Sequence, residues 1–248
     1  MDAEDMLELL RSTADAVTMA MHQHREWGLA GTRRGQYHHD LAADAAALEV
    51  LEPSGVTILS EESGVQVGSV GLTVVIDPID GSTNASRGLP WWSTSVCAVD
   101  DDGPWVALVA DQVTGERWHA VRGGGAFHND ERILRPATPP LRDSIIGLGG
   151  WPPFHFGWSQ FRAYGSIALD LCAVADGRLD GYVHCVTDEV AEWDYLGGTL
   201  VCVEAGADVI DMHERALAPL DHGVRRTPVA AGDRALLDEL LLARRKFA

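Results

Sequence analysis

Asp77-Pro78-Ile79-Asp80-Gly81-Ser82-Thr83-Asn84 is the stretch on which the reading of this chain turns. It follows Leu72-Thr73-Val74-Val75-Ile76, an apolar run that reads as a buried strand. Two carboxylates, three residues apart, then fall on a proline-stiffened turn. Carboxylates this close repel one another and need a cation or a proton. The Gly-Ser-Thr-Asn segment that follows suits a helix N-terminus, where free backbone N–H groups attract anions. A cation site beside an anion site is what metal-assisted phosphate chemistry requires.

Upstream of this stretch, residues 56–59 read as a short strand ended by Ser60-Glu61-Glu62-Ser63-Gly64. Asp40 is the predicted N-cap of an Ala-rich helix over residues 41–51, which stops at Pro53-Ser54-Gly55. Residues 28–35, with Arg33-Arg34, read as a loop. The first ~25 residues carry helical spacing, with Met6, Leu9, Leu10, Ala14, Val17 and Met21 on one face.

Downstream, residues 93–99, 105–112 and 116–121 are strands joined by short turns, and so predict an antiparallel sheet. Gly123-Gly124-Gly125-Ala126-Phe127-His128-Asn129-Asp130 reads as another tight turn. The composition shifts at residues 136–140, and strands then alternate with helices. The strands are 144–148, 181–186, 208–211 and 229–231; the helices are 167–175, 194–205 and 234–243. The pattern predicts an α+β subdomain over residues 1–135 and an α/β subdomain over residues 136–248.

The bulk properties narrow the function classes. A chain of 248 residues with 46% hydrophobic and 23% charged residues is globular in composition. A formal net charge of −18 repels nucleic acid and anionic membranes, so neither is an expected partner. It would also repel a phosphorylated substrate unless a bound cation reversed the field locally. Cys97, Cys172, Cys185 and Cys202 are scattered in apolar surroundings and read as reduced thiols of a cytoplasmic protein. The acidic start, Met1-Asp2-Ala3-Glu4-Asp5, is unlike a secretory signal.

Acidic residues recur where strands end. Glu61-Glu62 closes one strand, Asp77 and Asp80 the next, and Asp194 begins a helix in Glu192-Trp193-Asp194-Tyr195-Leu196-Gly197-Gly198. In their order and distances these segments resemble the inositol monophosphatase family of Mg²⁺-dependent, lithium-sensitive phosphatases, related to fructose-1,6-bisphosphatase. Arg162-Ala163-Tyr164-Gly165-Ser166-Ile167-Ala168 is similar to that family's pocket-lining Arg-x-x-Gly-Ser-Ala segment. The resemblance runs from about Asp40 to the C-terminal helix. It implies a layered αβαβα sandwich of the sugar-phosphatase type, with the site between its halves.

The resemblance also implies roles. Glu61, Asp77 and the Ile79 carbonyl match ligands of a first Mg²⁺, and Asp77, Asp80 and Asp194 match those of a second. A third, weaker ion would sit near Glu61 through waters. Ser82, where the family more often has Thr, matches with Asp40 the pair that orients and deprotonates the nucleophilic water. The Gly81 and Ser82 N–H groups match the phosphate site, Asp80 also matches a contact to a substrate hydroxyl, and Gly165, Ser166 and Ile167 match the pocket lining. Inositol monophosphate is the leading substrate. Histidinol phosphate and fructose 1,6-bisphosphate are alternatives, as is a catalytically silent regulatory relative. The family also implies a homodimer.

Two departures stand out. His38-His39 replaces the usual small and hydroxyl residues before the Asp40 position. Residues 184–192 form a longer segment before Trp193-Asp194 than the family has. A family Glu there contacts substrate hydroxyls, and Asp188 or Glu189 is the expected replacement.

Overall fold

The computed structural model describes residues 1–31 and 35–247. Arg33 and Arg34, read above as loop residues, lie outside the described residues.

Two helices cover one face of a large sheet. Helix α1 spans Ala3–Gln23, capped by Asp2, whose carboxylate accepts from the N–H groups of Glu4 and Asp5. Its Met6, Leu10, Ala14, Val17 and Met21 are buried at a spacing of three to four residues, as the sequence predicts. Burying one such large side chain stabilises by about 1.5–3 kcal/mol. Helix α2 spans His38–Leu51 and packs beside α1.

The sheet comprises β1 (Thr57–Ser60), β2 (Gly64–Gln66), β3 (Thr73–Asp80), β4 (Ser93–Asp100), β5 (Gly103–Asp111), β6 (Arg117–Val121), β7 (Gly125–His128) and β8 (Glu131–Arg132). Its order is β2-β1-β3-β4-β5-β6-β7-β8. All neighbours are antiparallel except β1 and β3, which are parallel. A six-residue helix, α3 (Ser82–Arg87), joins β3 to β4.

The run 72–76 is apolar without alternation because both faces of β3 are covered. Val74 and Ile76 join the core under α1 and α2, while Val75 joins the core on the opposite side. That second core is built on helices α4 (Ile167–Ala175) and α5 (Glu192–Glu204). Beyond them lies a five-stranded sheet of β9 (Ile145–Gly149), β10 (Gln160–Arg162), β11 (Gly181–His184), β12 (Asp208–Asp211) and β13 (Pro228–Ala231), ordered β10-β9-β11-β13-β12. Helix α6 (Arg234–Arg244) closes its outer face through Leu236, Leu237 and Leu240. The layers are therefore helix, sheet, helix, sheet, helix, the expected αβαβα sandwich.

Three local expectations are corrected. The carboxylates do not follow β3 on a turn; the strand continues through Asp80. Asp77 pairs with Ser95 and Asp80 with Ser93, so β3 carries one extra residue there, a bulge. Pro78 is tolerated because β1 stops pairing at Ile76 and the bulge needs no N–H from it. Asp40 is not the N-cap of α2. Tyr37 is, and Asp40 reaches back to accept the Tyr37 N–H at 2.9 Å. The stretch 123–130 is not one tight turn but turns flanking β7. Among the described residues, no helix is long and apolar enough to cross a membrane.

Candidate active site

Three carboxylates converge at the ends of β1 and β3 and the start of α5. Ligand oxygens of Glu61, Asp77 and Asp194 all lie within 4.8 Å of one another. Glu61 follows β1, and its N–H bonds to the Ile76 carbonyl at 3.2 Å, which ties it to β3. Asp77 is 2% exposed, and its Oδ1 accepts the Ile79 N–H at 2.9 Å across the bulge. Asp194 reaches back to the Ala191 N–H at 2.8 Å, the same device that orients Asp40. In each case one carboxylate oxygen holds the helix start, and helix formation fixes the direction of the other. Glu62, the other half of the acidic pair, is engaged by Gln36.

Electrostatics confirm the crowding. Burial first, then Glu61, Asp80 and Asp194, push the Asp77 carboxyl well above the usual range. Asp194 is raised by burial, Glu61 and Asp80, while the Ala191 N–H and Arg225 pull it back. Buried, mutually repelling carboxylates with an all-oxygen donor set fit a hard divalent cation, which would remove both penalties at once.

Asp80 stands beside this trio. Burial pushes its carboxyl up to about 6, against bonds from Ser166, Ala168 and Ile167. Its Oδ2 accepts from Ser166 Oγ at 2.6 Å and from the Ala168 N–H at 2.7 Å. Ser166 also caps α4, accepting from the Leu169 N–H. The predicted pocket residues Gly165, Ser166 and Ile167 are thus brought against Asp80 at the end of β3. Gly81, at φ +97°, is the closest approach: a Cβ there would meet Trp91 O at 3.1 Å and Gly165 O at 3.2 Å. Asn84 Nδ2 fastens the same seam, donating to Trp91 O at 2.8 Å and to Tyr164 O at 2.7 Å. Trp91 packs at a tilt against Tyr164, with ring centroids 4.5 Å apart, and donates from Nε1 to Asp170. Trp92 packs instead towards Trp27.

Ser82 opens α3, and its hydroxyl donates to the Ile79 carbonyl at 2.8 Å. A six-residue helix has little dipole, so any anion here would be held by individual N–H groups rather than by the helix as a whole.

The segment before Trp193 divides its two candidates. Asp188, at φ +52°, is gripped by Arg215 and its N–H bonds to Thr227 Oγ1. Arg215 also holds Asp211, so Asp188 belongs to a corner of the second sheet. Glu189 meets His184 Nε2 at 2.8 Å, and His184 Nδ1 meets the Tyr182 hydroxyl at 3.0 Å. Tyr182 in turn feels the charges of Asp170, Asp80 and Asp194. His184 and Tyr182 were not singled out by sequence; their position at the end of a strand facing the helix layer is the signal that marks them. The loop before β13 also escaped notice. His222 packs at a tilt against Trp193 at 4.7 Å between centroids, and Arg225 lies over the same ring at 5.0 Å.

Comparison with known proteins agrees with this geometry. The sequence model described as the inositol monophosphatase family matches residues 39–247. A fructose-1,6-bisphosphatase/inositol-1-monophosphatase of Archaeoglobus fulgidus is 30% identical over 94% of this chain and 96% of its own length. The Nus factor SuhB of Pasteurella multocida is 36% identical over 70% of each chain. Among solved structures, an inositol monophosphatase from Anabaena (Nostoc) superposes with a TM-score of 0.81 at 25% identity, covering 99% of this chain and 97% of that one.

Proposed function

The chain belongs to the inositol monophosphatase family, and we propose that it is a Mg²⁺-dependent phosphomonoesterase acting on a small phosphorylated alcohol, with inositol monophosphate the leading substrate. The observation that carries the reading is the meeting of Glu61, Asp77 and Asp194 within 4.8 Å, where β1 and β3 end and α5 begins, beside Gly81 and Ser82. Glu61, Asp77, Asp80, Asp194 and the Ile79 carbonyl would hold two or three Mg²⁺ ions. Bound there, Mg²⁺ supplies Lewis acidity towards a phosphoryl oxygen and acidifies water.

The chain's own residues do the rest. Main-chain N–H groups at Gly81 and Ser82 hold the phosphate. The Ser82 hydroxyl, presented next to the Ile79 carbonyl, orients the attacking water, and Asp40 takes up its proton. Gly165, Ser166 and Ile167 wall the leaving alcohol, with Asp80 fixed against them by Ser166. Of the two candidate acids before Trp193, Asp188 is committed to Arg215, which leaves Glu189, held by His184, as the candidate for recognising substrate hydroxyls. The test is phosphate release with Mg²⁺ from inositol 1-phosphate, fructose 1,6-bisphosphate and histidinol phosphate. No release from any of them sinks the proposal.

A second reading is a catalytically silent regulatory relative, favoured by the 36% identity to a protein named a Nus factor. A protein that binds Mg²⁺ in titration but hydrolyses nothing would establish it. The presence of every acidic ligand and of Ser82 argues for the enzyme.

A further inference from the structure

The segment before Trp193, which departs from the family pattern, is held from two sides. Tyr182 and His184 lie two apart on β11, so they share a face of the strand, and both are buried. The Tyr182 hydroxyl meets His184 Nδ1 at 3.0 Å, and His184 Nε2 meets Glu189 Oε2 at 2.8 Å. Gly149, opposite His184 on β9, leaves room for this pair. A Cβ at Gly149 would collide with the Tyr182 hydroxyl and with His184 Nδ1. From the other side comes Arg244 of α6, 2% exposed. It donates to the His184 carbonyl at 2.6 Å and to Thr187 Oγ1 at 2.9 Å.

The direction of each bond follows from the donors available. A carboxylate only accepts, so the proton on the Glu189 bond belongs to His184 Nε2. A neutral imidazole then accepts at Nδ1, and the Tyr182 hydroxyl donates there. Burial first, then Asp170, Asp80 and Asp194, raise the Tyr182 hydroxyl well above its usual range, so it keeps its proton. Burial also lowers the His184 pKa against the pull of Glu189, and Arg244 adds to the lowering. Glu189 itself is exposed over 53% of its side chain, and among the described residues its other oxygen accepts no hydrogen bond. An exposed carboxylate bonded in this way adds little to stability, yet a buried tyrosine, a buried histidine and a glycine are arranged to hold it. It stands two residues before Ala191, whose N–H bonds to Asp194 Oδ2 at 2.8 Å.

We propose that His184, set by Tyr182, is a positioning residue that fixes the Glu189 carboxylate as an acceptor for substrate hydroxyls, and so favours a polyol phosphate over an ester without hydroxyls. The proposal rests on the role given above to Glu189 within the phosphatase reading. One carboxylate oxygen is taken by His184; the other is left to accept, and one such oxygen can serve two neighbouring hydroxyls. A side chain fixed before binding loses less rotamer freedom when the substrate arrives.

Two esters and three variants test this in Mg²⁺-loaded protein. Inositol 1-phosphate carries hydroxyls around its ester; p-nitrophenyl phosphate carries none. His184→Phe should raise KM for inositol 1-phosphate about tenfold and leave p-nitrophenyl phosphate within about twofold. His184→Gln, which keeps a neutral N–H, should recover most of the loss. In a Glu189→Gln background, adding His184→Phe should change KM no further, because the histidine acts through that carboxylate. Nitrogen-15 NMR of the wild-type imidazole should show the neutral Nε2–H tautomer, a reading that needs no variant to fold. An Nδ1–H tautomer overturns the proposal. So does a folded His184→Phe protein with the wild-type KM for inositol 1-phosphate, or one that loses equally on both esters. A His184→Gln protein as poor as His184→Phe overturns it as well. A wild type that cleaves p-nitrophenyl phosphate alone sinks this proposal and leaves the phosphatase reading standing; a wild type that cleaves neither ester sinks both.

Discussion

The Ser166 hydroxyl donates to Asp80 Oδ2 at 2.6 Å, joining residues 86 apart in the chain. The end of β3 is thereby latched to the start of α4, and the Asp80 end of the strand cannot move without moving residues 165–167. Asp80 accepts a second bond from the Ala168 N–H, so the latch has two parts.

The acidic trio should respond to metal as a unit. Mg²⁺ at a hundred times its dissociation constant should stabilise the protein by about 2.7 kcal/mol, read as a rise in melting temperature. Asp77→Asn should abolish this rise and lower turnover by at least about a hundredfold. Its melting temperature without Mg²⁺ should not fall, because Asn keeps the oxygen that accepts the Ile79 N–H and relieves repulsion from Glu61, Asp80 and Asp194. A variant that hydrolyses substrate at the wild-type rate would remove Asp77 from the site.

Asn84 ties the segment before β4 to the segment before α4, at Trp91 O and Tyr164 O. Asn84→Ala strips the donor from both carbonyls and should cost about 1–3 kcal/mol in denaturant unfolding. Because Tyr164 precedes the proposed pocket wall, KM should rise more than kcat falls. An unchanged denaturation midpoint would show that the clamp is dispensable.

Helix packing in the middle layer depends on Gly198. A Cβ there would lie 2.6 Å from Leu171 Cβ and 3.0 Å from Ala168 O, both on α4. Gly198→Ala should therefore force α4 and α5 apart at a cost of about 1–3 kcal/mol, although Ala is the better helix former. A thermal melt that moves upwards would contradict this.

Acid should weaken the second sheet through Asp211. Burial alone would raise its pKa, but Arg215 Nε at 2.7 Å and the N–H groups of Thr227 and His213 bring it down to about 2, from 3.8. A depressed carboxyl stabilises fully above its unfolded value, and that stability is lost as pH falls from about 4 through about 2. The contribution is on the order of 1–2 kcal/mol. Asp211→Asn should be less stable at neutral pH, and its denaturation midpoint should vary less over that acid window.

Much of this arrangement can be read in the sequence, and the parts that cannot have physical reasons. The run into Asp77 declares itself because a strand covered on both faces has no polar side to interrupt it. Helix α1 is equally plain from its spacing. Strands β2, β7, β8 and β10 span two to four residues each, too few for a period, and exist only as partners to longer strands. The start of α2 misleads because an Asp before an apolar run looks like a cap, whereas Asp40 reaches back from inside the helix. The contacts of His222 and Arg225 with Trp193 join residues that no spacing rule connects.

The middle helices carry one further consequence, in the order of synthesis. Strands β1 to β8 are complete once Arg132 has been made, but the inner face holding Val75, Cys97, Val109 and Trp118 is covered by α4 and α5, which are made later. Until Glu204 has left the ribosome, the growing chain carries an uncovered apolar sheet, for several seconds at about 5–20 residues per second. Nascent chains halted between Arg132 and Glu204 should therefore be the ones that proteases and chaperones seize, and release should follow the arrival of the helix that also brings Asp194.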